Sequence, residues 1–596
     1  MAEASISSSR LQIDPITFEV LRNAFIAVCN EMALVVQQTA YSTAVNEGHD
    51  FSGSLYDRHG KLVSQGEFDL PAFVGITQLT VPEVVRAVGI ENIKEGDIYI
   101  INDPYVASTH CNDVHVVKPI FHEGGLVGFV TSTAHWSDVG GIYPGSLNAR
   151  ARTHFEEGIR IPAIRIHREG KLNNDVLQIL LANMREGWER VGDLNSQVAA
   201  VNVGESRVQA IIQKHGAARM METMAEVQDH SERLARAAWS AIPDGVYTGE
   251  DHVDKDIYTG EPVTVRLKLR VEGDHAIFDF TESDGPAQAA INCTIAGTTS
   301  GIFISAASIL PPKPMNAGVM RTIEIQAKRG SIVWAEPPVA VSGLAATSLE
   351  MVISSVMQAL TKATPERGVA TPYSILNTIF AGSDQRPEFA ADFINYVWSF
   401  GGWGATKYKD GPNAVGSAYA GGTQNVPCEI QERRYPLVWR RYQLVPDTGG
   451  PGRSRGGLGL DQLMEFPYGP GTLSCVGDRE VFGPPGAFGG GQGALAGLSV
   501  NKGTESERNI GIFCSGEKIV PGETASFWSA GGGGFGDPLE RPIEAVLEDI
   551  KDDYVTIPAA RSQYGVVVEE IDRRRLEYRI DQDATAKLRA EMRGAS

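Results

Sequence analysis

The chain is 596 residues long, 42% apolar and 21% charged, with a formal net charge of −20. That length exceeds a single core and predicts about three to five domains or subdomains. The negative balance repels phosphate backbones and anionic lipid, which excludes nucleic-acid and membrane-surface roles.

Asp14-Pro15 supplies a capping residue and a proline at the first helical position, and the apolar spacing predicts a long, largely buried helix over Ile16–Ala40. The polar segment Asn46-Glu47-Gly48-His49-Asp50 follows, then a hairpin of Phe51–Tyr56 and Lys61–Ser64 around Asp57-Arg58-His59-Gly60. Asp50 stands at a strand entrance, where a carboxylate can be held rigidly; turn-making is the ordinary use of such an Asp. Pro71–Val88 reads as loop then helix, and Gly96–Asn102 as a strand ending at the turn Asn102-Asp103-Pro104. Thr153–Ile166 reads as extended, Leu172–Met184 as a helix, and Val191–Gln228 as one long amphipathic helix.

After Ile242-Pro243-Asp244-Gly245, the alternating runs Val263–Leu269 and Ala276–Phe280 predict strands, and Ser348–Thr361 a helix. Much of the 65-residue glycine complement lies beyond position 400, which favours tight turns and a β-rich second half. The densest runs, Gly449–Gly452 and Gly531–Gly536, are not nucleotide loops: no Gly-Lys-Ser/Thr occurs, and the strand-loop-helix setting of a dinucleotide fingerprint is missing. ATP, if needed, has to be bound by another chain. Pro542–Tyr554 and Val567–Arg593 read as a charged helical tail.

The expected fold is thus α+β with several subdomains. Residues 1–240 form a helical, hairpin-bearing part, 241–445 a mixed central domain, 446–545 a glycine-rich β domain, and 546–596 the helical tail. No apolar run approaches the roughly 20 residues needed to span a bilayer, and Met1–Gln12 lacks a basic region followed by an apolar one, so a cytoplasmic protein is expected. The six cysteines form no Cys-x-x-Cys pair, which argues against a disulfide framework and leaves Cys111 as a structural thiol.

All 12 histidines lie at or before His275, so imidazole chemistry belongs to the N-terminal half. Its focus is Ile101–Gly141, which holds two His-x-x-Asp steps, His110 to Asp113 and His135 to Asp138, separated by a β-hairpin. A three-residue loop at Glu123–Gly125 pairs residue 113 with residue 135; a two-residue loop slips the pairing by one and sends the two side chains to opposite faces. In the first register two imidazoles and one or two carboxylates converge, which suits a borderline divalent ion such as Zn²⁺ or Mn²⁺. Ordinary surface-loop histidines with solvated carboxylates are the alternative, and the pattern alone leaves both open. Trp136, Tyr143 and Phe155 lie near in sequence, with core packing the simpler use for each.

These pieces resemble the hydantoinase B/oxoprolinase family. The resemblance is carried by Asp14-Pro15-Ile16, Asp50-Phe51-Ser52, Asn102-Asp103-Pro104 with His110 and Asp113, and Ala134-His135 with Asp138–Gly141 and Pro144-Gly145-Ser146. It continues through Glu157–Pro162, Pro314–Gly318, Gly450–Gly452 with Arg455–Gly459, and Gly531–Arg541.

The resemblance implies a catalytic subunit working with an ATP-binding hydantoinase A-type subunit in a hetero-tetramer or larger assembly. The partner phosphorylates a carbonyl oxygen, and the activated intermediate is completed at a metal site here, with Asp50, His110, Asp113 and His135 as the matching ligands. Asp138 is the candidate general base, orienting His135 being its alternative role, and Asp50 can exchange roles with it. Two outcomes share this machinery: opening of a lactam, hydantoin or oxoproline ring, and carboxylation of a ketone. Ketone carboxylase subunits of this type tend to be longer, so the compact chain favours hydrolysis. A non-catalytic scaffold that only docks the partner is the third reading, and it has no use for converging imidazoles.

Overall fold

The computed structural model describes residues 13–67, 69–310 and 315–594, so Met1–Gln12 and Pro314, used above, lie outside the described residues. Helix α1 (Pro15–Thr39) starts where its cap predicts: the Thr17 N–H donates to the Asp14 carboxylate at 3.0 Å. It buries Phe18, Leu21, Phe25, Val28, Met32 and Val36, one stripe at three- and four-residue spacing. A short α2 (Thr43–Asn46) leads into β1 (Phe51–Asp57) and β2 (Leu62–Gln65), followed by α3 (Ala72–Val88). Then come β3 (Ile98–Ile101), β4 (Asp113–His122), β5 (Gly125–His135), β6 (Ile164–Arg168) and β7 (Lys171–Leu172).

These strands make one antiparallel sheet in the order β2-β1-β5-β4-β3-β6-β7. Both faces of its central strands are covered, so these are buried along most of their length rather than alternating with solvent. Leu55, Val116 and Val130 pack with α1 and the later helices, while Tyr56, Val117 and Phe129 pack with Val81 and Val84 of α3. After α4 (Asn174–Ala182), the predicted single helix over 191–228 is two, α5 (Gly187–His215) and α6 (Ala217–Ser240). The break is at Gly216, whose φ of 84° no helix admits.

The central region is a four-stranded sheet, β11-β10-β9-β8, built from β8 (Gly245–Val253), β9 (Val263–Glu272), β10 (His275–Asp279) and β11 (Ile323–Gln326). Helix α7 (Ile295–Ile309) and the short α8 (Ala317–Met320) precede β11, and α9 (Ser348–Ala363) packs between α7 and this sheet. The stretch Leu344–Ala363 corrects one expectation from the sequence: it is long and apolar enough to cross a bilayer, yet all of it but Gln358 and Lys362 is buried inside the fold as the central core helix.

Two further sheets follow. The order β13-β12-β16-β19 uses β12 (Leu376–Ser383), β13 (Asp392–Ser399), β16 (Gly471–Val476) and β19 (Phe513–Ile519). The order β14-β15-β20-β17-β18 uses β14 (Val438–Leu444), β15 (Leu460–Glu465), β17 (Gly497–Val500), β18 (Arg508–Asn509) and β20 (Thr524–Trp528). Strand pairing runs across residue 445 in both sheets.

The glycine runs lie between these strands and pack backbone on backbone. The N–H of Gly532 donates to Gly457 O, that of Gly533 to Thr371 O and that of Gly534 to Gly491 O. A Cβ on Gly533 would lie 2.1 Å from the Pro485 carbonyl oxygen, so no side chain fits. The tail departs from the helical expectation. After α11 (Ile543–Lys551) and α12 (Ile557–Tyr564), with α10 (Cys428–Arg434) earlier in the chain, β21 (Val568–Asp572) and β22 (Glu577–Ile580) form a hairpin before α13 (Gln582–Gly594). In β22 Tyr578 and Ile580 turn inward while Glu577 and Arg579 face water, a strand's alternation rather than a helix's.

Candidate metal centre

The β4–β5 hairpin turns on two residues, Glu123 and Gly124, at φ of 48° and 78°, with His122 opposite Gly125. Both central residues at positive φ make the tight turn whose twist matches the flanking strands. The three-residue loop expected at Glu123–Gly125 is therefore not used. A two-residue turn alone would slip the register, but Val127 is inserted as a bulge, since Phe121 faces Leu126 and Ile120 faces Gly128. From there the pairing runs unbroken to Asp113 opposite His135.

Asp50 joins from the other side. The His135 N–H donates to the Asp50 carbonyl at 3.1 Å, extending the β1–β5 ladder beyond Phe51 and Ala134. Asp50, His135 and Asp113 thus form one row across three strands, side chains on a common face. His110 comes from the turn before β4: the Asp113 N–H donates to His110 O at 3.2 Å, and the Ser108 hydroxyl donates to both residues' carbonyls. These histidines are not at a loop edge in solvent; His110, Asp113, His135 and Asp50 are each no more than 4% exposed.

His135 Nδ1 lies 3.3 Å from Asp113 Oδ1 and 3.9 Å from Asp50 Oδ2, and His110 Nδ1 lies 3.4 Å from Asp113 Oδ2. One potential ligand atom from each of His110, Asp113 and His135 falls within 4.8 Å of the others. His110 Nδ1, His135 Nε2 and Asp50 Oδ1 are buried without a hydrogen-bond partner. Buried lone pairs left open are unfavourable in the folded protein, and two imidazoles gathered with a carboxylate are a donor set that a cation completes. This group could hold a metal ion.

Burial works against each charge here. It pushes Asp50 up to about 7 and draws His110 below the usual imidazole range. Burial also opposes the charges on Asp113 and His135, but His110 and then His135 hold Asp113 below the ordinary carboxylate range, and the hydrogen bond to Asp113 with the charges of Asp50 and Asp113 holds His135 above the ordinary imidazole one. Thr109 donates its hydroxyl to Asp113 Oδ2, and Tyr396 of β13 packs edge-on against His135 at 5.1 Å between ring centroids. Neither was marked by the sequence: Thr109 has no feature beyond adjacency to His110, and Tyr396 arrives from another sheet.

Asp138 sits differently. Its Oδ1 accepts from the N–H groups of Gly140 and Arg185, both at 2.9 Å, and its Oδ2 from the Gly145 N–H at 2.9 Å and Arg185 Nη1 at 3.1 Å. Arg185 also donates to the carbonyls of Gly141 and Ile142, so the pair ties down the loop that follows His135. None of these bonds reaches His110, Asp113 or His135. Of the neighbouring aromatics, Trp136 is buried with its Nε1 donating to Gln197, whereas Phe155 is 77% exposed, against the expectation of core packing. Cys111 is a buried thiol pushed well up by burial, inert as a nucleophile, and all six cysteines are free.

Comparison with known proteins follows this geometry. The family model for hydantoinase B/oxoprolinase matches residues 14–538. The chain is 30% identical to the caprolactamase subunit beta of Pseudomonas jessenii over 94% of its own length and 97% of that protein's. It is 27% identical to 5-oxoprolinase 1 of Arabidopsis thaliana, spanning 90% of itself but 43% of that longer protein. Among solved structures, the ATP-dependent caprolactamase of Pseudomonas jessenii superposes with a TM-score of 0.87 at 29% identity, covering 97% of this chain and 100% of that one. Acetone carboxylase shares the fold, with a TM-score of 0.89 at 21% identity over 98% of this chain and 84% of that chain. The chain belongs to the hydantoinase B/oxoprolinase family.

Proposed function

We propose that this chain is the metal-binding catalytic subunit of an ATP-dependent amidohydrolase that opens a lactam, hydantoin or oxoproline ring after a partner subunit has phosphorylated the carbonyl oxygen. The observation that carries the reading is the buried His110–Asp113–His135 group with its open ligand atoms beside Asp50. The kinship with caprolactamase subunit beta over nearly the whole chain supports hydrolysis. Ketone carboxylation is the second reading, since acetone carboxylase shares the fold.

His110, Asp113 and His135 would hold Zn²⁺ or Mn²⁺, which supplies a Lewis acid that lowers the pKa of bound water. Asp113 Oδ1, 3.3 Å from His135 Nδ1, holds the ring in place beside the shared site. Asp50 has an uncommitted Oδ1 and takes the proton of the attacking water. Asp138, its bonding capacity filled by backbone N–H groups and Arg185, holds the loop instead. Water adding at the activated carbon lets the C–N bond break with the proton passing to nitrogen, and a second water releases phosphate from the resulting acyl phosphate. The ATP is bound by the partner, of the hydantoinase A type.

The experiment is metal analysis of the purified chain, followed by mixing it with its partner, ATP and one of two substrate sets: caprolactam, hydantoin and 5-oxoproline, or a ketone with bicarbonate. A bound transition ion and ring-opened acid are expected. A keto acid in the second mixture, with no ring opening in the first, overturns the reading, and a metal-free chain would leave only a scaffold.

A further inference from the structure

Arg190, in the first turns of α5, is completely buried. Its Nη2 donates to Glu189 Oε2 at 2.7 Å, Asp193 Oδ2 at 3.2 Å and Ser137 Oγ at 3.5 Å, while Nε and Nη1 have no acceptor. The other oxygen of Asp193 accepts the N–H groups of Tyr41 at 2.8 Å and Ser42 at 3.1 Å. Ser42 therefore hangs on the same carboxylate as Arg190, and its own hydroxyl is buried and unpartnered. A buried guanidinium ordinarily spends its five donors, and ion pairing explains only Nη2 here.

This donor set flanks the metal centre. Ser137 is two residues beyond His135, and the charge of Arg190 acts on both His135 and Tyr396. On the other flank, Ser42 leads through α2 to Asp50, whose N–H donates to Ala44 O at 3.1 Å. Asp138, Glu186, Glu189 and Asp193 are the acidic groups nearby. Glu186 is pushed up to about 8 by burial and by Glu189, so it carries its proton at neutral pH and adds little repulsion against an anion.

We propose that Arg190 and Ser42 form a buried oxyanion pocket that holds the phosphoryl or carboxylate oxygens of the molecule processed at the neighbouring His110–Asp113–His135 group. Which molecule that is rests on the function proposed above; the pocket itself rests on the three open donors. Its ligand class is a tetrahedral or planar oxyanion, bound by charge-assisted hydrogen bonds.

The test is calorimetric titration of the full chain with inorganic phosphate and, separately, with 6-aminohexanoate, whose carboxylate represents a ring-opened product. At least one is expected to bind. Arg190→Gln should weaken it about 10-fold or more, Ser42→Ala by a smaller factor, and Arg190→Lys should recover part of the loss, with metal content unchanged in all three. Phosphate binding alone assigns the phosphoryl group, and 6-aminohexanoate binding alone the carboxylate. A wild-type chain that binds neither overturns the pocket without recourse to any variant, as does undiminished binding by Ser42→Ala and both Arg190 variants. Anion binding without ring opening would sink the proposed function and leave the pocket standing; ring opening without anion binding would do the reverse.

Discussion

Two buried regions of this protein, one of glycine loops and one at the ends of paired strands, satisfy their polar groups in opposite ways. In the glycine block around Gly457, Gly491 and Gly531–Gly536, N–H and carbonyl groups pair with one another across strands of bare backbone. Around His110, Asp113 and His135 the strands pair through their backbone, but side-chain lone pairs are left open. The contrast separates two uses of buried polar groups: one set closes its bonding internally and serves packing, the other keeps valence in reserve for something that binds.

The sharpest way to break that contrast is to put a side chain where backbone touches backbone. Gly533→Val drives a Cβ to within 2.1 Å of Pro485 O, so the loss of stability should exceed the ~1–3 kcal/mol of ordinary overpacking. Soluble yield and thermal unfolding will show it, and whatever fraction folds should carry its normal metal.

His135→Ala is the complementary experiment. Metal bound per chain should fall by about 10-fold or more, read by elemental analysis, while the metal-free chain changes stability by no more than about 1–2 kcal/mol. Retained metal would mean that His135 is not a ligand.

A third kind of buried group fills its valence with a proton. Glu350, in α9, is pushed up to about 7 by burial, and so is Glu157. Each is protonated in the fold and ionised when unfolded, so its stabilisation is present below the unfolded carboxylate range and fades as pH rises toward 7. Denaturant titrations at roughly pH 5 and pH 8 should show wild type losing on the order of 1–3 kcal/mol more than Glu350→Gln does.

The smallest effect belongs to Asp138→Asn, which weakens the tether to Arg185 and the two glycine N–H groups. It should lower stability by about 1–2 kcal/mol with metal content intact. A collapse of turnover with unchanged thermal stability would return the role of base to Asp138.

The grouping of His110, Asp113 and His135 was legible in the sequence because its parts are local: one His-x-x-Asp step and a hairpin that faces residue 113 with residue 135, whereas Asp138 of the second step is bonded elsewhere. What could not be read was how the register is achieved, since a bulge at Val127 carries no compositional mark. Gly216 was misread for a related reason, because apolar spacing continues through the break between α5 and α6. In the tail, Val568–Ile580 is charged enough to pass for helix, and only the pairing of β21 with β22 shows its two-residue period. Tyr396 and Arg190 were invisible, the first because it arrives from β13, the second because a helical arginine is ordinarily a solvated one. Glycine content pointed to tight turns, but the carbonyls of Trp403 and Pro485 that press on Gly532 and Gly533 are distant in sequence and left no local mark.

The bulge has a consequence for how this segment can vary. Turn and ligand row are out of step by one residue, and Val127 absorbs the difference. Between Gly125 and His135 the quantity under constraint is therefore parity: gaining or losing one position would rotate His135 into the opposite layer, against α1 and α5, whereas a change of two would keep its orientation and only slide the ladder. Side chains along this ribbon are free to differ within the limits of packing, while its residue count, odd or even, decides whether the imidazole meets the carboxylates at all.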